Sequence, residues 1–271
     1  YKEKFHLDKP GVIQYFSWLK SILKLDWGYS FTYKAPVIKV ITLHAFNTLI
    51  LSLSTIVFSW LFVFPLGIIC VRYKERFIDK TITFFSYIFI SFPTFLLAIF
   101  LLYLATFIDF LPLGGMRSLN FDELSKIGKI FDILKHLIIP TLVLSLGSIA
   151  YLVRILRANL FEVLSSPFMN ALKARGLPKR KILFHALKNS LNPMITIFGY
   201  QLSGLLSGAA LTEIICSWPG LGQVMLGAVR SQDLYLVMAS VFIGGLLLIL
   251  GNLVADILLA WVDPRIRYER F

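Results

Sequence analysis

The 271 residues are 57% hydrophobic, include 24 phenylalanines and have a mean hydropathy of +0.76, a balance that excludes an ordinary soluble domain. The net charge of +12 does not point to nucleic acid, because Lys and Arg gather between apolar runs and nowhere interleave with aromatic residues. Apolar runs longer than about 18 residues are membrane helices, so the chain reads as an all-α polytopic membrane protein.

In chain order, residues 1–41 form an extracytoplasmic, interfacial segment. They open on Tyr1 without a leader, and an upstream portion is expected. Within them Val12, Ile13, Phe16, Leu19, Ile22 and Leu23 recur at helical spacing, with Lys20 and Lys24 on the other face. Two readings fit, a helix lying on the membrane surface and a helix packed on neighbouring protein. Asp26 to Phe31 then reads as a turn with interfacial aromatic residues.

The transmembrane domain is placed at 42–262, with spans at 42–71, 82–108, 133–160, 189–216 and 234–262. Arg72, Lys74, Arg76 and Lys80, the basic stretch 154–188, and Arg265, Arg267 and Arg270 fall on one side. The positive-inside rule makes that side cytoplasmic. The loop 109–132 and the segment 217–233, which looks re-entrant, fall outside, and 263–271 is a cytoplasmic tail. The N-terminal segment, with seven lysines against three acids, opposes this assignment. Five spans with that segment outside imply a first, sixth helix upstream. Cys70 and Cys216 then lie near opposite faces, about 30 Å apart, too far for a disulfide. Pro65, Pro93, Pro140 and Pro193 are expected to kink their spans.

Ionisable residues inside spans mark function or special packing. Glu213 falls near the outer face and reads either as a gate or solute-facing group or as an interfacial residue satisfied by backbone. Asp256 falls near the inner face and reads as structural, paired with Asn252 or a basic residue of the tail. Gly199, Ser203, Gly204, Ser207, Gly208 and Ala209 give 189–216 a small-residue face. That face serves helix packing or leaves room for a passing solute, so Ser203, Ser207 and Glu213 are the translocation-path candidates. The histidines show no metal spacing, so no metal site is expected. No Gly-rich loop followed by Lys-Ser/Thr occurs. No catalytic residues are assigned. Glu213 and Asp256 are too far apart to act as a carboxylate pair, and Ser207 has no span-interior histidine as its base.

The coupling loop is placed at 161–188; the stretch from Ser165 to Pro193, SSPFMNALKARGLPKRKILFHALKNSLNP, which runs from it into the next span, carries six basic and no acidic residues. A short helical run, a Gly176-Leu177-Pro178 break and a second amphipathic run resemble the loop by which membrane subunits of ATP-binding-cassette (ABC) importers plug into their ATPases. In that loop Glu-Ala-Ala precedes Gly by three intervening residues. Here Asn170-Ala171-Leu172 stands at the former, Gly176 at the latter, and Pro193 about one turn beyond its usual place. HLDKPGVIQYFSWLKSILKLDWGYSF, with Trp27 for Leu, LTEIICSWPGLGQVMLGAVRSQD and WVDPRIRY extend the resemblance to the B-type permease of dipeptide, oligopeptide and nickel importers.

The resemblance implies a type I ABC importer permease fold (MetI-like), five of whose six helices are visible. It implies a bacterial inner-membrane subunit translocating peptides, with a nickel chelate or other small solute as the alternative. The implied partners are a second homologous permease, two ATPase subunits that use ATP and Mg, and an extracytoplasmic solute-binding protein, all in the lipid bilayer. This chain would bind no cofactor. Asn170, Ala171, Leu172, Lys173, Arg175, Gly176 and Leu177 carry over as the ATPase contact, with Lys173 and Arg175 supplying charge beside Asn170.

Overall fold

The computed structural model describes residues 10–24 and 26–262. It begins with α1 (Gly11–Leu23), then a two-stranded antiparallel hairpin, β1 (Tyr29–Ser30) and β2 (Ala35–Pro36), in which Tyr29 faces Pro36 and Ser30 faces Ala35. Nine further helices follow: α2 (Val37–Arg72), α3 (Phe77–Ser91), α4 (Thr94–Ala105), α5 (Lys126–Ser165), α6 (Pro167–Ala174), α7 (Lys179–Gly208), α8 (Ala210–Ile215), α9 (Leu221–Arg230) and α10 (Leu234–Val262). The hydrophobic effect cannot hold helices together in lipid, so close packing and polar contacts must.

Helix α2 has 36 residues and α5 has 40. At 1.5 Å per residue both exceed the roughly 30 Å apolar core of a bilayer, so their ends project into the aqueous flanks. α5 is the central post: 56% of its most apolar window is buried, against 22% for α10 at the periphery. It packs along α2, and α10 packs along α7. Pro65 and Pro140 sit inside α2 and α5, and Pro193 inside α7, without ending them.

The stretch expected as one span at 82–108 is two helices, α3 and α4, bent by 106°. Phe92 is extended, with φ −84° and ψ 121°, and Pro93 caps α4. A residue before proline is excluded from the helical region by the ring, and proline has no N–H to continue the ladder. The expected span at 189–216 starts ten residues earlier, at Lys179, and breaks at Ala209. The start moves because basic residues in the first turns of α7 need no apolar surroundings once they project past the bilayer.

One face of the N-terminal helix packs on neighbouring elements of the protein. Ile22 is buried with Trp27, Val37 and Leu236, and Trp18 meets Phe242 edge-on at 6.3 Å. Val12, Phe16 and Leu23 remain exposed. Trp27 is buried against the same elements, and Asp26 Oδ1 accepts from the Gly28 N–H at 3.1 Å to turn the chain.

Buried apolar residues among those described form four clusters, of which two bear most on the site. One cluster joins α1, the start of α2, α9 and α10. The other joins Val63 and Cys70 of α2, Leu152 to Leu160 of α5, Met169 of α6 and Ile182, Ala186 and Met194 of α7.

Candidate functional site

At the end assigned to the cytoplasm, α6 is a short, capped knob. The Ser166 hydroxyl accepts from the Met169 N–H at 3.4 Å, and Pro167 occupies the first helical turn, where its missing N–H costs nothing. At the other end Gly176 adopts φ +75°. The Gly176 N–H donates to the Lys173 carbonyl at 3.0 Å and the Leu177 N–H to the Leu172 carbonyl at 3.3 Å. This is the paired 5→2 and 6→1 pattern of a Schellman stop, which favours glycine at the left-handed position. Met169 is fully buried in the inner cluster, and Leu172 and Leu177 pack on its flank.

Asn170, Ala171, Lys173, Arg175 and Gly176 face outward. Lys173 Nζ reaches the Leu164 carbonyl at 3.0 Å and Asn170 Oδ1 at 3.3 Å, so the asparagine at the family's glutamate position is held by an internal partner. Phe168, 55% exposed, stands beside them.

Directly behind the knob lies a contact that span-by-span reading passes over. Arg157 of α5 donates to Asp79 at the start of α3 through Nε at 2.7 Å and Nη2 at 2.8 Å. Asp79 Oδ2 also accepts from the Glu75 N–H at 2.9 Å. The guanidinium lies over Phe161 at 4.7 Å, and Lys74 over the same ring at 4.9 Å. Neither charge stands alone in the sequence, since Lys80 follows Asp79 and Arg154 precedes Arg157 by one turn. The pair ties the α2–α3 turn to α5 ten residues before α6 begins.

At the other end, Glu213 is buried in a polar knot joining α2, α8 and α9. Thr48 Oγ1 donates to Glu213 Oε1 at 2.6 Å and accepts from the Leu221 N–H at 2.8 Å. The Gly222 N–H donates to Oε2 at 2.8 Å. The Trp218 indole donates to the Asn47 carbonyl at 3.0 Å, and Asn47 Nδ2 to the Pro219 carbonyl at 2.8 Å. His44 Nδ1 also meets that carbonyl, at 2.7 Å. The SWPGLG turn is thereby fastened to α2.

Close approach makes its glycines obligatory. A Cβ on Gly220 would fall on the Glu213 carboxylate, and one on Gly222 would fall on Ala210. Gly222→Ala is therefore expected to cost about 1–3 kcal/mol through overpacking. A lower thermal midpoint of the purified protein would register it, whereas Gly227→Ala, whose methyl group would meet nothing within 4 Å, should leave that midpoint nearly unchanged.

Two further carboxylates missed by the sequence reading fasten this end. Asp233 accepts from Ser30 Oγ at 2.6 Å and the Thr32 N–H at 3.1 Å, holding the hairpin to the start of α10. Asp132 of α5 accepts from the Ser118 N–H at 2.9 Å and from its hydroxyl, holding the outer loop. Ser203 and Ser207 lie on α7, but their side chains fall outside the described residues. Asp256 is exposed on α10 and Asn252 half-buried one turn before it, while the basic tail proposed as a partner falls outside the described residues. Glu213 lies on α8 and Asp256 on α10, and among the described residues no hydrogen bond or ion pair joins them.

Comparison with known proteins adds the lineage. Residues 63–268 match the family described as binding-protein-dependent transport system inner membrane component. The chain is 35% identical over 269 residues to the oligopeptide transport system permease protein AppB of Bacillus subtilis (strain 168), covering 98% of this chain and 84% of that protein. It is 32% identical over 269 residues to the nickel import system permease protein NikB of Staphylococcus aureus (strain USA300), covering 99% and 76% respectively. Its fold matches an inward-facing structure of the MetNI methionine ABC transporter with a TM-score of 0.65 at 16% identity, over 84% of this chain and 98% of that one.

Proposed function

This chain belongs to the binding-protein-dependent transport system inner membrane components, multi-pass permease subunits of ABC importers, and on that premise we propose that it translocates peptides in an importer driven by ATP. The peptide assignment follows its likeness to an oligopeptide permease. Its partners are a second, homologous permease, two ATPase subunits that spend ATP and Mg, and an extracytoplasmic solute-binding protein. The ATPase activity resides in those partners.

The observation that carries ATP coupling is the construction of α6. A helix with a buried methionine foot, both ends capped and an outward face of Phe168, Asn170, Ala171, Lys173, Arg175 and Gly176 is built to be pressed from outside. Pressure on that face passes through Met169 to the α5 and α7 residues that surround it. The Asp79–Arg157 pair carries α3 along with α5, so the inner ends of the helices turn as a block. Packed interiors have low compressibility and transmit displacement in place of absorbing it. Ser203, Ser207 and Glu213 line the path of the solute in this proposal, and Leu172 and Leu177 seat the contact helix.

The test is uptake by vesicles holding the complete importer with its binding protein. Tetraalanine should accumulate only when ATP is inside the compartment that holds the ATPases. Accumulation of a nickel–histidine complex in place of the peptide would overturn the solute assignment, and accumulation without ATP would overturn the coupling. Mass spectrometry of whatever the copurified binding protein holds gives an independent reading of the solute.

A further inference from the structure

A cavity of about 240 Å³ lies among α8, α9 and α10, lined in part by Thr48, Glu213, Leu221, Met225, Ser240 and Gly244. At about 30 Å³ per water it has room for roughly eight water molecules, enough for one side chain or chain terminus and too little for a whole peptide. Its polar wall is unusual. Glu213 is 1% exposed and Ser240 2%. The carboxylate accepts from the Thr48 hydroxyl and from the N–H groups of Gly222 and Gln223, all neutral donors. Among the described residues no ion pair involves it. The buried Ser240 hydroxyl has no hydrogen-bond partner among them. A buried carboxylate without a cation, and a buried hydroxyl without a partner, are each costly arrangements. Here both border one empty space.

We infer that this cavity receives an alkylammonium group, the amino terminus or a lysine side chain of the transported peptide. An ammonium offers three N–H donors and no acceptor, which matches the Glu213 carboxylate and the Ser240 oxygen. Leu221, Met225 and Val241 suit the attached carbon stem. A hard inorganic cation would need about six oxygen ligands, and most of these walls are apolar side chains. The identity of the ammonium rests on the peptide reading above; the site itself does not.

The experiment measures the thermal midpoint of the purified complete importer in methylammonium chloride and in equal concentrations of sodium chloride. Methylammonium at ten times its dissociation constant should raise the midpoint by about 2–4 °C above the sodium value, and the rise should saturate. Glu213→Gln should abolish it. Gly244→Leu should also abolish it while preserving the fold, because a Cβ there meets nothing within 4 Å and the longer side chain occupies the cavity. Equal shifts in the two salts, or an undiminished methylammonium shift in Gly244→Leu, would overturn the site. A methylammonium shift that persists in an importer unable to carry tetraalanine would uphold the site and remove only the peptide as its source.

Discussion

Arg157→Met should destabilise the protein by about 3–5 kcal/mol, the cost of leaving a buried charge uncompensated. The Asp79 side chain is 2% exposed and takes two of its three described hydrogen bonds from this guanidinium. Methionine keeps the length and much of the contact with Phe161, so the loss reports on charge more than on packing. The reverse change, Asp79→Asn, should cost less, about 1–2 kcal/mol. The Arg157 side chain is 30% exposed and a long cationic side chain can carry its head to water while its stem stays packed. The double variant Asp79→Leu with Arg157→Met should recover most of the loss, since an apolar pair of similar volume replaces a desolvated ion pair at little net cost. A double-mutant cycle on thermal midpoints in mild detergent measures the coupling. A coupling below about 0.5 kcal/mol, the spread expected of independent sites, would mean that α3 and α5 are not held by this pair.

The second large effect falls on uptake and spares folding. Gly176→Asp should abolish transport and association with the ATPases while membrane insertion is kept and stability falls only by the backbone cost of about 1–2 kcal/mol. A Cβ at this position would meet nothing within 4 Å, so no clash arises. The left-handed backbone at φ +75° costs a non-glycine residue about 1–2 kcal/mol, and Asp and Asn meet that cost more readily than other types. What changes is the outward face, where a negative charge lands beside Lys173, Arg175, Lys179 and Arg180. Gly176→Asn makes the same backbone demand without the charge and separates the two contributions. Pull-down of the ATPase subunits and vesicle uptake, measured together, decide the matter. Normal uptake by the aspartate variant would remove α6 from the ATPase interface.

The inner half of the molecule was legible as a string of local signals. Gly176-Leu177-Pro178 announced a helix stop and start, and the structure supplies the Schellman bonds and the first turn of α7. Pro93 announced a break, but not one of 106°; that angle depends on α4 packing against α5 and α8. Glu213 stood out as a charge in an apolar run. Its surroundings were not legible, because Thr48 lies 165 residues away and each oxygen is engaged by a neutral group with no pattern to announce it. Arg157 was hidden by company: counted among the basic residues of the inner loop, it gave no sign that it turns inward to Asp79.

By itself the sequence determined that the chain is a membrane bundle, roughly where its helices run and where they stop. Those outcomes follow from transfer free energies and backbone restrictions that each residue carries wherever it is placed. Only the tertiary structure decided which polar groups meet, as in Asp79 with Arg157, Glu213 with Thr48 and Asp233 with Ser30. A hydrogen bond exists over a few tenths of an ångström of donor–acceptor distance, and such distances between residues far apart in the chain are set by how the helices pack.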